Sequence, residues 1–383
     1  MVELKDYKGR EQSYVKHVLL EQYLEALVHK TASVYPHIVY VDGFAGPWQN
    51  ANEQFEDTSF GIALRALREA KASWKRVGRD VRMTAVLVEK NATAYKQLET
   101  LPSKFPDVTV IPLHGDFVSL IPTILKKLPA DAFAFFLLDP KGWRIPLKFL
   151  QPLLGRDNSE VLFNFMFEFI NRAASMDDPN IVNGLNELLP SGDWRQRLAE
   201  AEGSDQRKEV LIGAFTQGLA ATVHYKHICE TTILRPDRDR PLYSLFYGTR
   251  HDTGLEVFRD CQVKALEAQA KTRAATKVDS AERRTGQSEL FDTLHEMSGN
   301  EASAFLEAEL AKARETIIAI APARSEPVLL YKDLWPQILA RHVVRRTNVN
   351  KLAAELRKQG ILEFPSWEPR KQIPQPDYRL FRK

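Results

Sequence analysis

The stretch HIVYVDGFAGPW, residues 37–48, decides the fold of this 383-residue chain. A run of apolar residues ends at Asp42, and glycines follow at positions 43 and 46. An apolar run of this length that ends in turn residues predicts a buried strand. Gly43 and Gly46 carry no Cβ, so the backbone there can approach a bound ligand closely. The stretch therefore predicts a strand, a sharp turn and a ligand site at that turn.

Helical and strand patterns alternate along the first 260 residues. The predicted helices are 11–29, 60–71, 92–98, 117–128 and 208–223, and a helical insertion spans about 166–201. The predicted strands are 37–42, 83–89, 109–116, 132–140, 160–165, 227–235 and 241–251. Near-continuous apolar strands separated by helices predict a parallel sheet covered on both faces. The short turn PDRDR makes the last two strands antiparallel. We therefore predict an α/β fold with a seven-stranded Rossmann-like sheet that ends in an antiparallel hairpin.

The pattern after residue 260 predicts two further parts. Helices are expected over 254–276 and 301–320, and the polar stretch between them, 277–289, is predicted to be a linker. Two helices, a pair of strands and a proline-rich basic loop then predict a winged helix-turn-helix. Thr347 or Asn348 is a suitable N-cap for its second helix, and Gly360 a suitable C′ residue. The predicted domains are 1–260, a helical connector 261–323, and the winged helix 324–383.

Charge is distributed unevenly along the chain. The total is 53 basic against 50 acidic residues, or +3, but residues 324–383 alone hold 13 basic against 6 acidic, which leaves −4 for the rest. A basic end favours DNA or RNA as a partner, with a protein-interaction module as the alternative. The predicted nucleic-acid contacts are Arg345, Arg346, Asn348, Asn350 and Lys351 in the second helix, and Arg370 and Lys371 in the wing.

Two cysteines, Cys229 and Cys261, are too few for a disulfide framework, a four-cysteine zinc site or a self-contained iron-sulfur cluster. We therefore predict no metal site. No run of about 18 uncharged apolar residues occurs, and the N-terminal residues lack the apolar segment of a signal peptide. A cytoplasmic protein without a membrane span is the expectation.

Carboxylates stand at the ends of four consecutive predicted strands: Asp42, Glu89, Asp116 and Asp139. Ligands of open α/β sheets bind beyond these carboxyl ends, and an acid after the second strand can accept hydrogen bonds from a ribose diol. The sequence DGFAG lacks the third glycine of GxGxxG. That absence, with the antiparallel end of the sheet, disfavours a nicotinamide enzyme.

These motifs resemble those of class I S-adenosylmethionine-dependent methyltransferases. DGFAGPW is similar to their glycine-rich first motif, LVEK to their ribose-binding acid, HGDF to their adenine-contacting acid, and LLDPKGW to their substrate motif. A closer resemblance is to the three-Cys-motif partner proteins. VDGFAG, LLDPKGW, FNFMFEFINR and a C-terminal winged helix occur here in that family's order, over nearly the whole chain.

The resemblance implies S-adenosylmethionine as the cofactor. It implies that the methionine part lies on Asp42, Gly43, Phe44, Ala45 and Gly46, the ribose on Glu89 beside Lys90, and the adenine on Asp116 and Phe117. Lys16 and His17 of the opening helix would close the pocket, and Asp139, Pro140, Lys141 and Trp143 would face the transferred methyl as catalytic residues. The resemblance also implies a cysteine-rich partner protein related to radical S-adenosylmethionine enzymes.

Several alternatives stay open at this point. Adenine amino-methylating enzymes carry (D/N)PP(Y/F), whereas this chain has DPKGW, in which the aromatic residue is one position late. Trp143 could stack a base or only pack, and Lys16 and His17 could form a solvated helix face. Phe163, Phe165, Phe167 and Phe169 are expected to be mostly core. The chain is either a methyltransferase acting on nucleic acid, or a catalytically degenerate fold that binds nucleic acid or a partner.

Overall fold

The computed structural model describes residues 2–7, 9–46, 55–285 and 291–383, with backbone alone for 279–285 and 291–300. Pro47 and Trp48, which end the stretch quoted above, therefore lie outside the described residues. The chain divides into two compact units, Met1–Arg250 and His251–Lys383, called unit 1 and unit 2 below.

Unit 1 is built on one seven-stranded sheet. Its strands are β1 His37–Asp42, β2 Arg82–Glu89, β3 Thr109–His114, β4 Ala132–Leu138, β5 Ser159–Phe165, β6 His227–Leu234 and β7 Pro241–Thr249. The strand order is β3-β2-β1-β4-β5-β7-β6, and β7 alone runs antiparallel to its neighbours. The predicted fold class is confirmed, because this order with a reversed β7 is the class I methyltransferase-like arrangement.

Helices cover this sheet. They are α1 Glu11–Ala32, α2 Ser59–Arg76, α3 Ala92–Leu98, α4 Leu101–Lys104, α5 Phe117–Leu125, α6 Gln151–Leu154, α7 Phe167–Ala173, α8 Pro179–Leu188, α9 Trp194–Glu200 and α10 Gly203–Val223. Every residue of β1, β4 and β5 is buried. A strand is buried along its whole length only when both faces of the sheet are covered by other elements. For this reason the sequences of these strands are continuous apolar runs and do not alternate between apolar and polar residues.

Two parallel strands of the sheet end two residues earlier than predicted. The third strand ends at His114, not Asp116, because the Asp116 side chain accepts hydrogen bonds from the backbone N–H groups of Val118 and Ser119 and so begins α5. The fourth strand ends at Leu138, which leaves Asp139 as the first residue beyond it. Both acids thus lie in the turns at the carboxyl edge of the sheet.

The described residues of unit 2 form four helices and a small sheet. These are α11 Asp252–Thr285, α12 Phe291–Ile320, α13 Tyr331–Arg341, α14 Arg346–Lys358, β8 Leu329–Leu330, β9 Leu362–Glu363 and β10 Arg379–Arg382. The sheet has the order β8-β10-β9 and both pairings are antiparallel. The helix pair and the two later strands were predicted, whereas the two-residue β8 was not.

Two predictions for unit 2 were wrong. The predicted linker is helical as far as Thr285, and the rest of it lies outside the described residues. Its polar composition leaves no apolar stripe by which a helix could be recognised. The second helix of the pair begins one residue after Arg345, so neither Thr347 nor Asn348 is its N-cap. The side chain of Asn348 instead accepts a hydrogen bond from the backbone N–H of Arg345, at 3.0 Å. Gly360 follows the C-cap with φ +72°, as predicted.

None of the helices within the described part of the chain is both long and apolar enough to cross a membrane.

Candidate functional site

The register of the sheet gathers three of the four predicted acids. Asp42 pairs with Leu87 of β2 on one side and with Leu137 of β4 on the other. Glu89 and Asp139 each follow those partners by two residues along parallel strands. The turn after β1 is therefore flanked by a carboxylate on either side, at the edge where open α/β sheets bind their ligands.

Asp42 organises the turn from inside the protein. Its side chain is fully buried, with Oδ1 accepting from the Phe44 backbone N–H at 3.0 Å, and Oδ2 accepting from the hydroxyls of Tyr40 at 3.0 Å and Ser59 at 2.7 Å. Burial raises the pKa of Asp42 to about 6, against the lowering effect of these donors. Because both oxygens are occupied by groups of the protein, Asp42 shapes the turn and does not present its carboxylate to a ligand.

The glycine at position 43 lies close to two side chains. A Cβ there would lie 3.0 Å from Phe117 and 3.1 Å from Leu138, closer than ordinary van der Waals contact. The backbone N–H groups of Gly43 and Ala45 donate to the carbonyls of Leu137 and Val88, which continues the strand pairing into the turn. Phe117 is 3% exposed, so this predicted adenine contact forms the wall beneath the turn.

Glu89 has the geometry expected for a diol-binding acid. It is 5% exposed, and its Oε1 accepts from the backbone N–H of Asn91 at 2.5 Å. Its second oxygen makes no hydrogen bond within the described residues. A buried carboxylate with one oxygen held and one uncommitted fits a ribose diol, since each hydroxyl is a donor. On this observation the residues fit the ribose of S-adenosylmethionine.

Asp116 and Lys90 lie at the outer rim of this edge. The Oδ1 atom of Asp116 caps α5, and its Oδ2 is 3.8 Å from the Lys90 ammonium. Both side chains are largely exposed, so they can reach a ligand from solvent. Capping of α5 is by itself a sufficient reason for an aspartate at position 116, whether or not a ligand binds there.

Lys16 and Asp139 form an ion pair across the site. The Lys16 ammonium bonds Asp139 Oδ2, and the Asn164 side-chain amide donates to Asp139 Oδ1 at 2.5 Å. Burial acts to raise the pKa of Asp139, but the Lys16 ammonium and the Asn164 amide outweigh it and hold that pKa below its usual range. The side chain of Lys16 is 13% exposed, so the alternative of a solvated helix face is wrong for this residue.

His17 is buried behind Lys16. Its Nδ1 is 2.8 Å from the hydroxyl of Tyr7, and burial together with the Lys16 ammonium lowers the pKa of His17 to about 3. The imidazole is therefore neutral at pH 7 and lies inside the protein, so a solvated face is wrong here too. Its contact with Tyr7 holds the opening segment against α1.

The DPKGW turn is closed by its own backbone. The Pro140 carbonyl accepts the Gly142 N–H at 3.2 Å, and Gly142 has φ +114°. The indole of Trp143 lies between the Phe169 ring, at 5.0 Å between centroids, and Gly184, where a Cβ would be 3.0 Å from the indole nitrogen. Trp143 is thus packed against the helical insertion. Phe163, Phe165 and Phe167 are buried and Phe169 is 45% exposed, so most of the four phenylalanines are core, as predicted. Lys141 is exposed.

The sequence analysis did not single out Asn164 or Phe169 as site residues. Asn164 at the end of β5 is 3% exposed, and its Oδ1 has no hydrogen-bond partner in the described residues. Its nitrogen must face Asp139, because a carboxylate only accepts hydrogen bonds, so the orientation of the amide is fixed. A polar residue inside the apolar run EVLFNF was the signal that could have identified it. Phe169 carried no signal that separates it from the neighbouring phenylalanines.

Most predicted nucleic-acid contacts in α14 already have partners in unit 2. Arg346 pairs with Glu256 at 3.0 Å and lies 4.5 Å above the Trp335 ring. The Tyr331 hydroxyl donates to Asn350 Oδ1 at 2.6 Å, and Asn348 holds the Arg345 backbone, as described above. The exposed members of the predicted set are Lys351, Arg370 and Lys371.

No family model matches this chain, and no curated protein matches it. Solved structures are similar at low identity. Protein LPL1258 from Legionella pneumophila is 14% identical, with a TM-score of 0.37 over 62% of this chain and 85% of that one. A candidate O-methyltransferase from Klebsiella pneumoniae is 12% identical, with a TM-score of 0.30 over 60% and 80%. The methyltransferase yhhF from Escherichia coli, also described as a candidate, is 12% identical, with a TM-score of 0.25 over 60% and 86%. These scores are too low to support an inference, so the fold assignment rests on the strand order.

Proposed function

We propose that this protein binds S-adenosylmethionine at the carboxyl edge of β1, β2 and β4 and methylates nucleic acid, as a three-Cys-motif partner protein. The observation that best supports this proposal is the buried carboxylate of Glu89, one oxygen of which makes no hydrogen bond within the described residues. Glu89 lies beside the turn that follows Asp42, in a sheet whose strand order is methyltransferase-like. In open α/β sheets this is where a nucleoside ligand binds.

Each part of the edge has a distinct function in this proposal. Glu89 accepts the ribose hydroxyls, and the backbone of residues 43–46 receives the methionine part. Phe117 closes the wall below the turn, and Asp116 and Lys90 lie at the rim. The Lys16 ammonium pairs with Asp139 at this edge, and in this proposal it meets the methionine carboxylate.

The bound cofactor supplies an electrophilic methyl group on a sulfonium. The protein contributes alignment, which for such a transfer provides most of the rate enhancement. Asp139 is ionised, held by Asn164, and lies at the edge beside the turn. In this proposal it orients the acceptor by taking a hydrogen bond from it, with Asn164 as a positioning residue.

Calorimetric titration with S-adenosylhomocysteine tests the cofactor assignment. We expect Glu89→Ala to weaken binding roughly 10- to 100-fold, because hydrogen bonds to a charged group contribute about 1.5–3 kcal/mol. Glu69→Ala, at an exposed glutamate of α2, is the matched control and should bind like the wild type. Absence of binding by the wild type, or equal affinity in both variants, would refute the cofactor site.

A second candidate function is a binding module without catalysis. Two observations favour it: Lys16 occupies Asp139, and the Gly142 N–H occupies the Pro140 carbonyl. Both groups that would orient an amino acceptor are thus engaged within the chain. Incorporation of labelled methyl into DNA or RNA by the purified chain alone would exclude this candidate. S-adenosylhomocysteine binding without any transfer would favour it.

A further inference from the structure

Phe169 presents an aromatic ring to solvent at the carboxyl edge of the sheet. It lies in the first turn of α7, which begins two residues after β5 ends. Phe169 is 45% exposed, whereas Phe167 in the same turn is 5% exposed. Single apolar side chains are common on protein surfaces, so exposure alone does not identify a site. What distinguishes Phe169 is the set of neighbours on which its ring rests.

The ring of Phe169 rests on the DPKGW turn. Its centroid lies 5.0 Å from that of the Trp143 ring, with 33° between the two planes. A Cβ at Gly142 would lie 3.4 Å from the Phe169 ring, so the backbone of this glycine lies against the ring. Aromatic rings prefer offset-stacked or edge-to-face contacts. A planar ligand can therefore extend this pair of rings from the part of Phe169 that is open to solvent.

One side chain links the position of Phe169 to that of Asp139. The Asn164 amide donates to Asp139 Oδ1 at 2.5 Å and to the sulfur of Met166 at 3.5 Å. Met166 is the N-cap residue of α7. The carboxylate of Asp139 and the helix that carries Phe169 are therefore held by the same amide.

The charged side chains beside the ring leave a positive balance. Residues 139–144 and α7 together hold three basic and two acidic side chains, and both acids, Asp139 and Glu168, are paired with basic residues from elsewhere in the chain. Arg172 of α7 is 65% exposed and lies 4.0 Å from Glu168. Arg144 is exposed and forms no ion pair within the described residues. The surface around the ring therefore favours an anionic ligand.

An unpaired nucleobase matches this combination of a ring, a carboxylate and cations. A base offers a planar π-face for stacking, and adenine, cytosine and guanine carry an amino group that donates hydrogen bonds. Asp139 can accept one, because its side chain is 25% exposed and a carboxylate has about four acceptor positions. In a duplex both faces of a base are stacked on its neighbours, so only an unpaired base reaches the ring and the carboxylate together.

We propose that Phe169 is the surface on which an unpaired base of the acceptor stacks, while Asp139 accepts a hydrogen bond from the amino group of that base. The neighbouring phosphates then lie near Arg144 and Arg172. This rests on the nucleic-acid part of the proposed function and names the form of the acceptor, an unpaired base with an amino group. Trp143 supports the Phe169 ring from behind and does not touch the base.

Anisotropy of a labelled oligo(dC) octanucleotide, titrated with the full chain in the presence of S-adenosylhomocysteine, tests the inference. Phe169→Ala should weaken binding about 10-fold, because it removes one stack between a base and a ring. Phe169→Leu should weaken binding nearly as much, since leucine keeps the apolar surface but has no π-face. Phe169→Trp should bind within about 3-fold of the wild type, because the indole restores the stack.

Phe149→Ala is the matched control for the ring. Phe149 is 46% exposed, like Phe169, but lies in the short 3-10 helix Leu147–Leu150, so its loss should leave the affinity unchanged. Equal weakening in the two alanine variants would overturn the inference, because the effect would then follow exposed apolar surface in general.

The identity of the base tests the hydrogen bond to Asp139. Oligo(dT) should bind about 10-fold more weakly than oligo(dC), since thymine has no amino group to donate to the carboxylate. Equal affinities of the wild type for the two strands would overturn this contact.

Photo-cross-linking locates the base directly. Oligo(dC) with one 5-iodocytosine, irradiated with the full chain and mapped by mass spectrometry, should form its adduct in the peptide that contains Phe169. A duplex in which that base is paired should give a lower yield, because the pair must first be opened. An adduct found only in unit 2, or an equal yield from the duplex, would overturn the inference.

Failure of the inference can be separated from failure of the proposed function. If the wild type binds neither a single strand nor a duplex, the inference and the nucleic-acid part of the proposal both fail, and titration of the same sample with S-adenosylhomocysteine reports on the cofactor part alone. If the strand binds equally to the wild type and to Phe169→Ala, only the inference fails. Phe169→Leu and Phe169→Trp both retain a large side chain against Trp143, so a folding defect cannot by itself produce the expected difference between them.

Discussion

Two buried titratable residues near the site, Asp42 and His17, respond to pH in opposite directions. The pKa of Asp42 is raised from 3.8 to about 6, so between these values the folded chain holds a proton that the unfolded chain releases. Raising the pH through this window therefore lowers stability. The pKa of His17 is lowered from 6.5 to about 3, so in that window the unfolded chain binds the extra proton and raising the pH increases stability. The two contributions partly cancel in the wild type.

Substituting one residue at a time should expose the contribution of the other. In His17→Gln, the free energy of unfolding should fall more steeply, relative to the wild type, from pH 4 to pH 6. In Asp42→Asn it should rise more steeply over the same range. Each group contributes at most about 1.4 kcal/mol per pH unit. Urea denaturation at pH 4, 5, 6 and 7 measures both slopes, and parallel curves for all three proteins would contradict the assignment.

Trp143 of the DPKGW turn and Phe169, whose ring packs against it, are expected to differ in function. Variants of Trp143 should mainly change stability, and variants of Phe169 should mainly change acceptor binding. Trp143 is packed between Phe169 and Gly184, so Trp143→Ala should destabilise the protein by about 2 kcal/mol or more. Phe169 is 45% exposed, so Phe169→Ala should affect stability less. If a base of the acceptor stacks on the Phe169 ring, Phe169→Ala should also raise the KM for the acceptor roughly 10-fold. A larger loss of stability in Phe169→Ala than in Trp143→Ala would reverse the assignment.

The sequence identified residues of this site better than their roles. Asp42 and Glu89 are the last residues of their strands and Asp139 follows one, and apolar runs in a sequence indicate where strands end. The ion pair of Lys16 with Asp139 joins residues 123 positions apart, and no local pattern encodes such a contact. Burial of His17 was missed for the same reason, because its neighbours in space come from distant parts of the chain.

At the scale of elements, the turn after β4 depends on a glycine that the sequence analysis did not single out. Gly142 has φ +114°, a conformation that other residues adopt only with strain. Gly142→Ala should therefore cost about 1–3 kcal/mol. Gly192→Ala is the matched control, because a Cβ there has no atom within 4 Å and its φ is not positive. Equal melting temperatures for the two variants would show that the turn relaxes without cost.

Strands and amphipathic helices were predictable because burial imposes a period on the sequence. The seven strands of unit 1 all lie close to their predicted positions, and the hairpin turn revealed the reversed β7. The end of α11 was not predictable, since a polar helical segment and a polar linker have the same composition. Capping of α14 was misassigned because Asn348 satisfies the Arg345 N–H from the third helical position.

At the scale of the whole molecule, basic charge is concentrated at the C-terminal end of the chain. Residues 324–383 carry 13 basic and 6 acidic side chains, and all of them belong to unit 2. The proposed cofactor residues all belong to unit 1. A ligand that depends on the charge of unit 2 should therefore respond to salt differently from one that binds in unit 1.

We expect the affinity for duplex DNA to fall steeply with salt and the affinity for S-adenosylhomocysteine to change little. Binding a polyanion releases counterions in proportion to the phosphates neutralised, whereas S-adenosylhomocysteine is a zwitterion without net charge, held at a site where buried groups are screened weakly. Between 50 and 200 mM salt, four phosphate contacts would weaken DNA binding roughly 100-fold. Anisotropy and calorimetry on one preparation measure the two affinities. Glu89→Ala should weaken only the cofactor analogue, and Arg370→Glu with Lys371→Glu should weaken only DNA binding. If either variant weakened both ligands equally, the two functions would share one site, and the assignment of one ligand to each unit would be wrong.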